Sequence, residues 1–141
     1  MNYELIHIHT RQSDMPEEGS LSFAEGEHDI PFDIKRIYYI YGVGEGIQRG
    51  RHAHKLNKQL LFCPYGKIEI IIDDGESRES VVLDDPSKGL VLYPGLWREM
   101  LWLEKDSILC VAASEFYDPA EYIRDYDDFK LYANQKKKTA E

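Results

Sequence analysis

Arg49-Gly50-Arg51-His52-Ala53-His54-Lys55, with Gln59 and Gly66 downstream, is the stretch on which the reading of the fold turns. Side chains alternate along a strand, so a His-x-His pair there places both imidazoles on one face. Working outward, alternation and β-branched or aromatic enrichment predict strands over residues 4–9, 21–24, 35–41, 51–54, 59–63, 67–72, 79–83, 89–93, 99–103 and 108–113. Asp73-Asp74-Gly75 is a hairpin signal, because Asp-Gly readily supplies the positive φ of a tight turn. Pro64-Tyr65-Gly66 and Pro94-Gly95 mark further corners. Many short strands with turns between them imply an all-β barrel or jelly roll, and the absence of βαβ alternation excludes a Rossmann-type domain.

One helix is expected near the end. Asp118 suits its N-cap, Pro119 the first helical position, and Glu121 a capping-box spacing. It is predicted to run to about Ala133, with Tyr122, Tyr126, Phe129 and Ala133 forming a face packed on the barrel. Residues 1–133 then read as a single domain and 134–141 as a polar tail, with Lys136-Lys137-Lys138 solvated.

The chain has 141 residues, long enough for one core that buries about two-thirds of the unfolded surface. A net charge of −9 argues against nucleic acid and anionic membrane as partners, which need a basic surface. It leaves room for an anionic small ligand held by a local cluster of arginines. No apolar run approaches the roughly 20 residues needed to cross a bilayer. The start, Met1-Asn2-Tyr3-Glu4, has no signal-peptide character. Cys63 and Cys110 both sit in apolar runs, which favours free thiols over a disulfide. A cytoplasmic location is expected.

His52 and His54 are the first candidates for chemistry, since an imidazole titrating near ~6.5 takes and returns protons at neutral pH. Arg36, Tyr38 and Ile40 share one strand face and Ile37, Tyr39 and Tyr41 the other, so alternation alone leaves open which tyrosine looks inward. Arg36, Arg49 and Arg51 form a basic group in an acidic chain, and guanidinium groups fork onto phosphate. Alternation makes Arg51 the weakest of the three.

The His-x-His pair, the position of Gln59 and a later Gly resemble the first half of the metal site of cupins, small β-barrels whose pattern has an acid where Gln59 stands. The second half of that pattern places a His soon after a Pro-Gly turn; in Pro94-Gly95-Leu96-Trp97-Arg98 the position is Arg98. A fixed guanidinium repels a divalent metal and cannot become a ligand. The expected fold is therefore a cupin-type jelly roll with one C-terminal helix, carrying acid–base chemistry and no metal ligands. Arg98 is expected to point inward and steady developing negative charge.

More specifically, the chain resembles the WxcM-like sugar-nucleotide 3,4-ketoisomerases, which act on dTDP-4-keto-6-deoxyglucose. The matching residues are Pro31-Phe32-Asp33-Ile34-Lys35-Arg36-Ile37-Tyr38-Tyr39, Arg49 to Lys55, Asp73-Asp74-Gly75 and Trp97-Arg98-Glu99-Met100. Ala113-Ser114-Glu115-Phe116-Tyr117-Asp118 follows, with Tyr122, Ile123, Arg124, Tyr126 and Phe129. The resemblance implies a cofactor-free homodimer with exchanged N-terminal strands. It implies His52 as catalytic base, Tyr38 as hydroxyl proton shuttle, His54 in the same motif, and Arg36 and Arg49 near the nucleotide diphosphate. Arg98 stands where some members carry His, and Glu18 where relatives carry Arg or Tyr. These positions bear on product stereochemistry: Arg98 leans toward the gluco product, while Glu18 is atypical. Three rivals remain: a metal-dependent cupin completing a site with Gln59, a nucleotide-sugar C3/C5 epimerase, and a non-catalytic sugar-binding cupin.

Overall fold

The computed structural model describes residues 1–140. Its strands are β1 (Tyr3–His7), β2 (His9–Gln12), β3 (Ser20–Phe23), β4 (Arg36–Ile40), β5 (Gln48–His54) and β6 (Gln59–Tyr65). They continue with β7 (Ile68–Asp73), β8 (Arg78–Leu83), β9 (Lys88–Leu92), β10 (Trp97–Trp102), β11 (Ile108–Ala113) and β12 (Tyr122–Ile123). One five-stranded sheet runs β1-β9-β6-β11-β4 and a second β12-β5-β10-β7-β8, all neighbours antiparallel. β2 and β3 form a separate hairpin whose residues are all exposed.

The core lies between the two sheets. On β7, Ile68, Ile70 and Ile72 are fully buried while Glu69 and Ile71 face the other way, a period-two pattern. Each such isoleucine is worth about 1.5–3 kcal/mol of burial. They meet Leu61, Leu90, Leu92, Leu109 and Val111 of the opposite sheet, with Met100 and Trp102 filling the end. Gly66 (φ +100°) turns β6 toward β7; a Cβ there would lie 2.0 Å from Ser107 Oγ, so only glycine fits. The Asp73-Asp74-Gly75 turn joins β7 to β8, as expected.

The C-terminal helix departs from expectation. Asp118 does cap a turn, its carboxylate accepting from the Ala120 N–H at 3.0 Å, but only a single 3₁₀ turn follows, Pro119–Glu121. Tyr122 and Ile123 then extend as β12 and pair with His54 and Ala53, because the open edge of β5 offers ladder partners that a continuing helix would leave unmet. A second cap, Asp125 accepting from Asp128 N–H at 2.9 Å, starts helix α1 (Tyr126–Ala140). The predicted helix, capped by Asp118 and ending near Ala133, is thus displaced by seven residues, and residues 134–140 are helical instead of forming a tail. Lys137 and Lys138 stand in its last turn, where cations suit the helix dipole. Phe129 buries against Ala53, Trp97 and Ile123, with Tyr126, Tyr132 and Ala133 packed alongside. The displacement takes Tyr122 off the helix and into the site.

Candidate active site

A cavity of about 380 Å³ opens between β4 and β5, lined by Arg36, Tyr38, Arg49, His52, Met100, Tyr117, Tyr122 and Arg124 among others. Its geometry depends on a bulge. β5 pairs with β10 as Arg98↔His52 and then Glu99↔Gly50, so Arg51 is an extra residue. Gly50 (φ +88°) and Arg51 (φ +59°) supply the left-handed backbone that this requires. Strict alternation would have set Arg49 against His52; the bulge shifts the phase and brings both to the cavity, while Arg51 faces outward.

His52 reaches the cavity with its Nε2 buried and unpartnered. Burial, reinforced by the Arg98 charge, lowers its pKa from 6.5 to about 3, against a raising hydrogen bond with the Gly50 backbone. The imidazole is therefore neutral and able to accept a proton. His54 stands behind it, fully buried, the two rings edge to face at 4.9 Å. Its Nδ1 is bonded to the buried Glu121 carboxylate, whose other oxygen takes the Lys55, Leu56 and Asn57 backbone N–H groups. Burial and Arg98 lower the His54 pKa as well. Tyr122 closes against both rings, at 5.2 and 4.4 Å.

Beneath the cavity lies a polar relay. Arg98 points inward as expected, but it is wholly buried under the floor and does not line the cavity. It donates to Gln59 Oε1 and, at 3.1 Å, to the Leu96 carbonyl. With its oxygen committed to a cation, Gln59 must turn its amide N–H₂ to Tyr38, to whose oxygen it donates at 3.1 Å. The Tyr38 hydroxyl, acting there as acceptor, is free to donate into the cavity. Burial raises the Tyr38 pKa, and Arg98 and Gln59 oppose the rise. Arg98 itself is pushed down by burial to about 10 and stays charged at neutral pH.

Three guanidinium groups ring the mouth. Arg36 lies over the Tyr38 and Tyr117 rings at 5.5 and 5.6 Å, with Nε and one terminal nitrogen buried and unpartnered. Arg124 stacks on Tyr122 at 4.5 Å. Buried donors without acceptors are costly unless a ligand completes them, and guanidinium forks suit phosphate.

A family profile described as "FdtA: WxcM-like, C-terminal" matches residues 1–134. The chain belongs to that family. The FdtA/WxcM-like match takes in every residue of the cavity and of the buried groups behind it. A curated relative from Aneurinibacillus thermoaerophilus, "TDP-4-oxo-6-deoxy-alpha-D-glucose-3,4-oxoisomerase", is 44% identical over 81% of this chain and 82% of its own. The structure of QdtA, a sugar 3,4-ketoisomerase from Thermoanaerobacterium thermosaccharolyticum in complex with TDP, superposes with TM-score 0.90 at 40% identity, covering 96% of each chain. A 3,4-ketoisomerase from Helicobacter canadensis gives 0.90 and 40% over 95% of this chain and 98% of that one. A His-to-Asn variant of QdtA is also known in complex with TDP-4-keto-6-deoxyglucose. The cupin-type fold expected from sequence is the fold of these relatives.

Of the predicted site residues, the structure brings Arg36, Tyr38, Arg49 and His52 to one cavity and sets His54 and Arg98 behind it. The structure also sets Glu121, Tyr122 and Arg124 at this site; the helix prediction had given Glu121 to a cap and Tyr122 to a packing face, and Arg124 no role. The second capping signal, Asp125 to Asp128, could have released them. A larger groove of about 700 Å³ lies on the outer side of the first sheet, beside the β2–β3 hairpin. Its lining is mostly apolar, with His7 and Asp85 as its titratable groups, so it offers little for proton transfer.

Proposed function

We propose that this chain moves the ketone of dTDP-4-keto-6-deoxyglucose from C4 to C3, with His52 as base and Tyr38 as hydroxyl shuttle and with neither metal nor redox cofactor. The observation that carries this reading is that unpartnered His52 Nε2, Tyr38 and the unpaired Arg36 guanidinium converge on one small cavity. The relatives' named activities support it. In a 4-keto sugar the carbonyl acidifies the C3 hydrogen. His52 Nε2 takes that proton, leaving an enediolate across C3 and C4, and returns a proton to C4 while Tyr38 carries one between the two oxygens. A positioned acid–base group of this kind gives typically about 10²–10⁴ in rate. Arg98 acts from beneath: its charge keeps His52 neutral and favours the anionic form of Tyr38 as the proton moves. Arg36, Arg49 and Arg124 would hold the diphosphate.

Proton NMR of the keto sugar with this protein in D₂O containing EDTA tests the reading. A 3-keto product with deuterium incorporated at the reacting carbons is expected, and the coupling at C4 is expected to report the gluco configuration, following Arg98. Retention of the ketone at C4 with inversion elsewhere would mean an epimerase, and turnover appearing only with added divalent metal would mean a metal cupin. His52→Asn is expected to lose turnover by about 10²-fold or more while binding TDP as before.

A homodimer in the cytoplasm completes the proposal. The all-exposed β2–β3 hairpin, with Leu21 60% and Phe23 39% exposed, is an arm that would find its packing on a second copy. Light scattering on the eluting peak would give twice the 16.4 kDa chain mass. Cys63 and Cys110 are free, which suits a reducing compartment, and no described helix is long and apolar enough to cross a membrane.

A further inference from the structure

His54 and Glu121 are buried together, and a buried carboxylate beside an imidazole decides which nitrogen carries the proton. Glu121 Oε2 accepts three backbone N–H groups, from Lys55, Leu56 and Asn57 at 3.1, 3.3 and 3.4 Å, and Oε1 faces His54 Nδ1. An ionised carboxylate only accepts, so the shared proton belongs to Nδ1 and Nε2 is left as a lone pair. That Nε2 is buried without a partner, and so is the Nε–H of Arg98 in the same interior. The Arg98 charge acts on the His54 ring through this interior, so an N–H in place of the lone pair would add a second donor near that cation.

We propose that Glu121 is a positioning residue for the isomerisation: it locks His54 in the Nδ1–H tautomer and so keeps an acceptor, not a donor, toward Arg98 behind His52. Through Arg98 the effect reaches Gln59 and the Tyr38 hydroxyl. The kinetic part rests on the ketoisomerase reading; the tautomer part stands without it.

The site supplies its own isosteric switch. In Glu121→Gln the three backbone amides demand an acceptor, so the glutamine oxygen must stay on them and its N–H₂ must face His54 Nδ1. Nδ1 then has to accept, and the proton moves to Nε2. Size, shape and the three backbone bonds are kept, which separates this change from simple loss of structure.

Two-bond ¹H–¹⁵N correlation on histidine-labelled protein reads the tautomer directly. The wild type is expected to carry the His54 proton on Nδ1 and Glu121→Gln on Nε2. With the switch, kcat is expected to fall by about 10²-fold or more while KM stays within about twofold, as for other imidazoles forced into the wrong tautomer. Glu121→Asp, which keeps a carboxylate, is expected to retain the Nδ1–H form and to recover most of the lost kcat. A wild-type His54 protonated on Nε2 overturns the proposal, as does a switched tautomer with unchanged kcat. If Glu121→Gln fails to fold, Glu121→Asp decides: Nδ1–H with kcat kept supports the lock, and Nε2–H with kcat kept removes it. A wild type that binds TDP but leaves the keto sugar unchanged sinks the ketoisomerase reading, and the tautomer measurement still judges Glu121.

Discussion

Gln59 carries more of the chemistry than its neutral side chain suggests. An acid at this position could only accept, whereas the amide accepts from Arg98 and donates to Tyr38, fixing the direction of the phenolic proton. Gln59→Glu would therefore turn the Tyr38 O–H toward the new carboxylate, as a hydrogen-bond donor, and away from substrate. Turnover is expected to fall by about 10²-fold with TDP affinity kept, read by the NMR assay and by calorimetry; unchanged turnover would break the link. His52 makes a second prediction. Its pKa of about 3 keeps it unprotonated through mild acid, so kcat/KM is expected to stay flat from pH 8 to 5, measured by initial rates. An acid limb near 6.5 would show an imidazole with an ordinary pKa. Both histidines were legible in the sequence as residues that share a face. Alternation left the inward tyrosine open, because each face of β4 carries one; the family resemblance singled out Tyr38, and its packing on the core agrees.

At the level of elements, β5 and α1 meet at Ala53, the residue between the two histidines. Phe129, with Trp97 and Ile123, packs against it from outside the barrel. Phe129→Ala is expected to cost about 3–5 kcal/mol in denaturant unfolding. In conditions where the variant is folded KM should rise more than kcat falls, since β12 and its neighbour Arg124 would lose their backing. Equal unfolding midpoints for wild type and variant would refute the packing argument. Ten strands could be placed from period and turn residues alone, because each is defined locally. β2 was missed, its start being merged into the strand predicted over 4–9, and so was β12: two residues long, β12 exists only because β5 has an open edge. Arg49 was singled out for its charge, yet its place beside His52 depends on Gly50 and Arg51 adopting positive φ, which alternation does not foresee.

For the molecule as a whole, the site's neutrality has a stability counterpart. His52 titrates near 6.5 when unfolded and near 3 when folded, and His54 is lowered in the same direction. Below about 6.5 the unfolded chain binds protons that the native state refuses, so stability falls as pH drops through that window and is unaffected by these groups above it. Each such imidazole removes up to about 1.4 kcal/mol per pH unit. The melting temperature is expected to decline from pH 7 to 5, and His52→Asn should blunt the slope; an equal slope in the variant would exclude His52 as its source. A net charge of −9 spoke against polyanion partners; of the three arginines around one cavity, Arg36 and Arg49 stood out in the sequence as a basic group and Arg124 did not. Composition averages over the surface, while binding depends on what the bulge and β12 bring together.

The extra residue at Gly50-Arg51 divides β5 into two reading frames. Before it, the odd-numbered Arg49 looks inward; after it, the even-numbered His52 and His54 do. A library that varies the Arg49 end to accept other nucleotides could leave the acid–base end untouched, because neither frame dictates the other. Deleting one residue there would merge the frames and turn one end of the strand inside out, so natural length variation should avoid this position while tolerating it in the turns nearby.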